Sequence, residues 1–325
     1  MLLTIFLIKM EKFMFGLISK NLKAGFVFLL IILNTLYIGV IFFALMPFKV
    51  ILWGKPELVL SRIFNFVGTI WISANNFILD KIAGVKFNAN IPDSVKTNGW
   101  YLVISNHQTW SDIFLLQRIF NKKVPFLKFF LKKQLIYVPV IGLAWWALDF
   151  PFMKRFSRQY LEKNPHMKGK DLETTIKACE KFAFRPVAVM NFPEGTRNRN
   201  GKAQKMKSPF EKLIRPKAGG FSFVLEAMNG KIDKILDITI HYSCKRPSLI
   251  EFLSGSIESI NIDVKEIDVE DWMVGSYLED PVYRERIQEF INKLWEEKDL
   301  RLIRLSKSLE KDFDYSKCNV EELEN

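Results

Sequence analysis

Cysteine and histidine are both scarce, three of each in 325 residues. Cys179, Cys244 and Cys318 lie far apart with no CxxC pair, which excludes a disulfide scaffold and points to a reducing compartment. His107, His166 and His241 form no HExxH or comparable spacing, so no metal site and no structural zinc are expected. A GxSxG elbow is missing, and Cys179 has no histidine beside it in sequence, which leaves covalent catalysis with little support. Acidic residues are too few to balance the basic ones: 47 Lys+Arg against 35 Asp+Glu gives +12. That excess calls for an anionic partner, whether nucleic acid, anionic lipid or a phosphorylated substrate. No nucleic-acid-binding module is recognisable, and the apolar N-terminal segment argues against one.

What the chain has in plenty is apolar and aromatic residues, 49% hydrophobic with 29 Phe and 8 Trp, enough for a large core and a membrane segment besides. Residues 24–46, AGFVFLLIILNTLYIGVIFFALM, carry no charge and are long enough as a helix to cross the roughly 30 Å hydrocarbon layer. A secretory signal is the competing reading, but the run exceeds its usual apolar length and no small-residue cleavage site follows. Residues 1–23 are apolar with Lys9, Lys12, Lys20 and Lys23, as suits a surface-lying lead-in. Residues 57–80 carry Arg62, Asn65, Asn75 and Asn76 among apolar positions, which suits an interfacial or buried helix better than a second crossing. Residues 1–83 are therefore expected to be membrane-anchoring helices.

After Gly84 the pattern changes. Short apolar runs, YLVIS (101–105), PVAVMNF (186–192) and ILDITIHY (235–242), alternate with helical stretches near 112–120, 171–184 and 284–310. This predicts an α/β domain over 84–260, a mixed sheet flanked by helices, with ligand sites in the loops after strands. Residues 261–325 are expected to form a helical extension, amphipathic near 282–312, ending in a solvated acidic tail. The aromatic stretch 124–153 reads either as a buried helix pair or as a surface presenting Lys128, Lys132 and Lys133 to anionic lipid.

Two segments carry candidate chemistry. In ISNHQTWSDI, residues 104–113, His107 and Asp112 stand five positions apart just after an apolar run. On one helix they would not share a face, so the spacing works only if His107 precedes the helix and Asp112 folds back from its first turn. The carboxylate would then hold one tautomer of an imidazole free to act as a general base. The plainer alternative is that Ser111 and Asp112 cap a helix. NFPEGTRN, residues 191–198, leaves a second apolar run: Pro193 ends the strand, Gly195 permits close backbone approach, and Arg197 can fork onto phosphate. A simple β-turn is the alternative there.

Taken together, NHQTWSD and FPEGTR resemble the first and third blocks of the glycerolipid acyltransferases, which include the 1-acyl-glycerol-3-phosphate acyltransferases. The resemblance spans about residues 85–255. FPFMKR is similar to the intermediate block and would assign Arg155 to substrate phosphate. The fourth block, normally an aliphatic stretch with proline, would fall at KILDITIHY, which has none. PKAGGF, residues 216–221, looks more like the lysocardiolipin and lysophospholipid branch and its bacterial members.

The resemblance implies direct acyl transfer from acyl-CoA or acyl carrier protein to the free hydroxyl of a lysophospholipid such as lysophosphatidic acid or lysophosphatidylglycerol. His107 would be the base and Asp112 its orienting partner. Glu194, Gly195, Thr196 and Arg197, with Arg155, would hold the glycerol phosphate, and Asn106 would shape the loop. It implies membrane lipids as partners, no nucleic acid and no cofactor beyond the acyl donor. Because thioester donors are cytosolic, the catalytic domain is expected on the cytoplasmic face of a membrane, the inner one in a bacterium. Two rival functions stand beside it: a membrane-anchored lipid hydrolase that activates water with the same pair, and a non-enzymatic protein that docks anionic lipid.

Overall fold

The structure is a computed structural model and describes residues 2–52, 55–153, 163–164, 169–180, 182, 185–199, 201–243 and 247–312. Two helices open it, α1 (Leu2–Ile51) and α2 (Lys55–Phe77). The strands of the main sheet are β1 (Asn88–Asn90), β2 (Trp100–Ser105), β3 (Leu127–Phe129), β6 (Val187–Asn191), β7 (Lys234–Tyr242) and β8 (Ile260–Asp268). A small separate ribbon pairs β4 (Leu131–Lys132) with β5 (Phe152–Met153). The main sheet runs in the order β1-β8-β7-β2-β6-β3, parallel at every pairing except the antiparallel β7–β8. It is the expected mixed sheet.

Its central strands β7, β2 and β6 are buried on both faces, which is why they read as continuous apolar runs rather than alternating ones. Along β2 the side chains still alternate between two cores: Tyr101 and Val103 on one face, Leu102 and Ile104 on the other. The first core is closed by α1, α2, α3 (Ser111–Phe120) and α8 (Leu249–Ser254). The second is closed by α5 (Lys170–Glu180), α7 (Gly219–Met228) and α9 (Pro281–Asp312). Short helices α4 (Ile141–Ala147) and α6 (Lys202–Lys205) fill the connections. On α9, Tyr283, Ile287, Ile291, Leu294 and Trp295 follow the helical period and are all buried.

Three expectations are corrected here. The sheet continues past residue 260, because β8 pairs along its whole length with β7; the boundary expected there falls on the first residue of a core strand. Residues 124–153 are not a helix pair: they form β3, β4, a 3-10 turn, α4 and β5. Lys128 is not offered to lipid but buried, donating to Asn65 Oδ1 at 2.8 Å and to the Leu148 carbonyl. Beside it Asp149 accepts from Lys49 (2.7 Å), Ser61 (3.0 Å) and Arg185 (2.6 Å). Burial pulls the Lys128 ammonium well below its usual range, while the neighbouring cations hold Asp149 well below its own despite the desolvation that opposes them.

Two helical segments, residues 19–51 and 57–83, are long and apolar enough to cross a membrane by length and composition. Each presents one stripe to the protein: Ala24, Val27, Ile31, Ile38 and Phe42 of α1 are buried, while Phe26, Leu29, Leu33, Tyr37 and Val40 are exposed. Asn34 and Trp71 stitch α1 to α2 through Asn75 Oδ1 and Thr35 Oγ1. The α1 helix is fastened to the α/β domain at two distant points. Lys23 donates to the Ala83 carbonyl (2.8 Å) and Lys20 pairs with Glu251 (3.5 Å); Lys49, about 44 Å along the axis from Lys20, pairs with Asp149. The helix therefore runs along the domain rather than away from it.

Candidate active site

Parallel pairing of β2 with both β6 and β7 brings three carboxyl ends to one edge of the sheet. The loop after β2 carries His107, the loop after β6 carries Glu194 to Arg197, and β7 ends at Tyr242. Strand β7 extends beyond β2, and Asn106 continues the ladder with its side chain: its amide donates to the Ile240 carbonyl and accepts from the Ile240 N–H, both at 2.9 Å. The backbone just before His107 is thereby locked to β7.

Asp112 lies in the first turn of α3 and is fully buried. Its carboxylate turns back from the helix. Oδ2 accepts from His107 Nδ1 (2.8 Å) and from the backbone amides of Gln108 (2.6 Å) and Thr109 (3.0 Å); Oδ1 accepts from the Tyr242 hydroxyl (2.6 Å). Four donors converge on one carboxylate, a stronger commitment than helix capping needs. A carboxylate oxygen at that distance places the imidazole proton on Nδ1, so the lone pair of the neutral ring is on Nε2. The ring is stacked on Phe192 at 3.9 Å between centroids, which fixes its plane. It keeps a small opening to solvent, 13% of its side chain.

The FPEGTR loop is tied directly to this pair. Phe192 to Gly195 form a turn closed by the Gly195 N–H on the Phe192 carbonyl (2.9 Å), and Gly195 adopts φ +69°, a conformation costly for other residues. The Asn198 N–H donates to the His107 carbonyl (2.8 Å). Thr196 Oγ1 accepts from Lys202 (2.6 Å). The Arg197 guanidinium lies over the Trp110 ring at 4.3 Å, with Arg199 close enough to depress its pKa after burial has done so first. Arg199 itself donates to the Gln108 carbonyl at 3.4 Å.

Glu194 departs from the expected role. Its side chain is buried under the loop, where Oε1 accepts from the His107 N–H (3.1 Å) and Oε2 from the Ile214 N–H (3.2 Å). Burial pushes its pKa up to about 8 against the lowering effect of those two amides. It joins the two loops rather than facing a phosphate, because a carboxyl engaged by two backbone amides in the interior has no edge left for a ligand. Arg155 lies outside the described residues. His241, next to Tyr242 on β7, points the other way toward α9; burial pulls its pKa down to about 4.

Tyr242 was not singled out from sequence, although a polar-tipped aromatic closing an apolar strand was the available signal. Lys202 and Arg199 were hidden in a generally basic segment. Among the described residues no group of three or more His, Cys, Asp or Glu is arranged to hold a metal ion.

A histidine open to solvent and held by a buried aspartate, beside a cationic loop at the carboxyl edge of a parallel three-strand centre, has the geometry to take a proton from a hydroxyl on an anionic molecule. Residues 86–243 match the Acyltransferase family model. The match covers just under half of the chain. The chain is 25% identical to 1-acyl-sn-glycerol-3-phosphate acyltransferase gamma of Homo sapiens over 179 residues, covering 52% of this chain and 43% of that protein. It is 25% identical to lysocardiolipin acyltransferase 1 of Gallus gallus over 289 residues, 83% of this chain and 71% of that protein. It is 28% identical to 2-acyl-1-lysophosphatidylinositol acyltransferase of Saccharomyces cerevisiae over 242 residues, 61% and 59% of the respective chains. A solved 1-acyl-sn-glycerophosphate (LPA) acyltransferase of Thermotoga maritima superposes with a TM-score of 0.44 at 14% identity, covering 85% of this chain and 95% of that one. The chain thus spans less than half the length of the human relative.

Proposed function

We propose that this protein transfers a fatty acyl group from a thioester, acyl-CoA or acyl carrier protein, to the free hydroxyl of a lysophospholipid. The observation that carries the reading is the His107–Asp112 pair, 2.8 Å apart and beside the Arg197 loop. Nε2 of His107 takes the acceptor's hydroxyl proton as the alkoxide attacks the thioester carbonyl. Asp112 keeps the ring oriented and stabilises the imidazolium, which then protonates the departing thiolate. Proton balance closes within one turnover. Arg197, with the Thr196 and Gly195 backbone, receives the acceptor's phosphate, and Arg155 is a second candidate for it. Glu194 acts through the loop it braces.

The same reading places α1 and α2 in one leaflet. A helix fastened to a single domain at points about 44 Å apart cannot have that domain on one side of a bilayer and its far end on the other. The exposed stripe from Phe26 to Val40 faces the acyl chains, and the acceptor reaches the site from the membrane. The domain then faces the cytosol, where thioester donors are made.

Thiol release in lipid vesicles tests this, with acyl-CoA and a panel of lysophospholipids. Acceptor-dependent release that yields a diacyl product and drops at least about 100-fold in His107→Ala is the expected result. Free fatty acid as the product would mean hydrolysis instead, and release unaffected by the substitution would remove His107 from the chemistry.

A further inference from the structure

Trp110 sits between the two halves of the candidate site. It is the residue on which α3 starts, two positions before Asp112, and its neighbours Ser111 and Asp112 are fully buried, so its backbone is fixed. Half of its side-chain-bearing surface remains exposed, yet one ring face is covered by the Arg197 guanidinium. Arg197 makes no salt bridge among the described residues: the one carboxyl in its own motif, Glu194, is engaged by the amides of His107 and Ile214, and Asp112, whose charge favours the guanidinium, spends its oxygens on His107, two backbone amides and Tyr242. Its Nη1 is buried and makes no hydrogen bond to any protein group. A guanidinium that is partly desolvated, has Arg199 beside it and has a buried N–H bonded to no carboxylate has room for an anion.

Resting on the acyl-transfer reading above, we propose that Trp110 is the positioning residue for the acceptor's phosphate. Its indole presses the Arg197 guanidinium into one plane, so that the free N–H edge is presented bidentately before the ligand arrives. Stacking orders a long side chain in advance, which removes part of the entropy cost of binding. The platform and the base belong to one short loop, residues 107–110, just before α3, so the distance from Nε2 to the phosphate clamp is set by that loop. Acceptors carrying a phosphate are selected over neutral ones on this basis. The ring face, not a hydrogen bond from the indole, is what matters, so phenylalanine substitutes for it and alanine does not.

Calorimetric binding of glycerol 3-phosphate to the full-length protein in detergent reads the clamp without needing turnover. Trp110→Ala is expected to weaken binding by about 3- to 30-fold, with Trp110→Phe recovering most of it. In vesicle assays the same substitution raises KM for lysophosphatidic acid by a similar factor, with a smaller effect on kcat, and leaves KM for monoacylglycerol, which has no phosphate, where it was. Equal binding by wild type and Trp110→Ala overturns the proposal, and so does a wild type that binds no glycerol 3-phosphate. A wild type that binds, weakens in Trp110→Ala, but transfers no acyl group would support the clamp and sink the acyl-transfer reading alone.

Discussion

Replacing Tyr242 by phenylalanine isolates one of the four donors that hold Asp112. The phenol donates to Oδ1 at 2.6 Å, while the other three bonds all fall on Oδ2, and both side chains are buried. Phenylalanine keeps the ring and deletes only the hydroxyl. A hydrogen bond to a charged group contributes about 1.5–3 kcal/mol, and a buried acceptor loses most of that when its donor vanishes. Stability should therefore fall by about that amount in urea unfolding. The pair with His107 survives through Oδ2, so only part of the loss reaches the transition state. A five- to tenfold drop in kcat/KM, about 1–1.4 kcal/mol, is expected. The assay is acceptor-dependent thiol release from pH 5 to 9, at a temperature well below unfolding. A folded Tyr242→Phe protein with the wild-type rate would refute the reasoning, because the hydroxyl would then not bear on the pair.

Glu194 has a folded-state pKa near 8, above the usual carboxyl value, so the folded protein binds a proton that the unfolded chain has already released. Stability should fall as pH rises between about 4.5 and 8, by up to about 1.4 kcal/mol per pH unit, and level off above; Glu194→Gln should flatten that slope in urea titrations. Lys298 bonds Asp237 at 2.6 Å in the interior, so Lys298→Met should cost about 3–5 kcal/mol, and a double change with Asp237→Leu should recover most of it. On α1, Val40 is exposed and Val27 fully buried. Val40→Asp should lower vesicle co-flotation and leave the unfolding midpoint nearly in place, whereas Val27→Asp should unfold the protein; equal membrane binding by Val40→Asp would show that this stripe does not meet lipid.

Sequence alone determined the local grammar of this protein. The apolar runs at 101–105, 186–192 and 235–242 became β2, β6 and β7, because strands buried on both faces must be apolar throughout. The spacing of His107 and Asp112 already required a loop residue facing back from a helix start, since five residues on one helix diverge. Pro193 and Gly195 announced a turn by their own backbone limits. Sequence could not say which way a buried carboxyl points: Glu194 and Asp112 are both acids in motif positions, yet one braces backbone amides and the other orients a ring. Nor could it place Tyr242, 130 residues from Asp112, until parallel pairing put three strand ends side by side. The fate of Lys128 and of the long first helix was likewise decided in three dimensions. A lysine or an apolar stripe carries the same local signal whether it meets lipid or protein, and only the packing of α1 along the domain distinguishes the two.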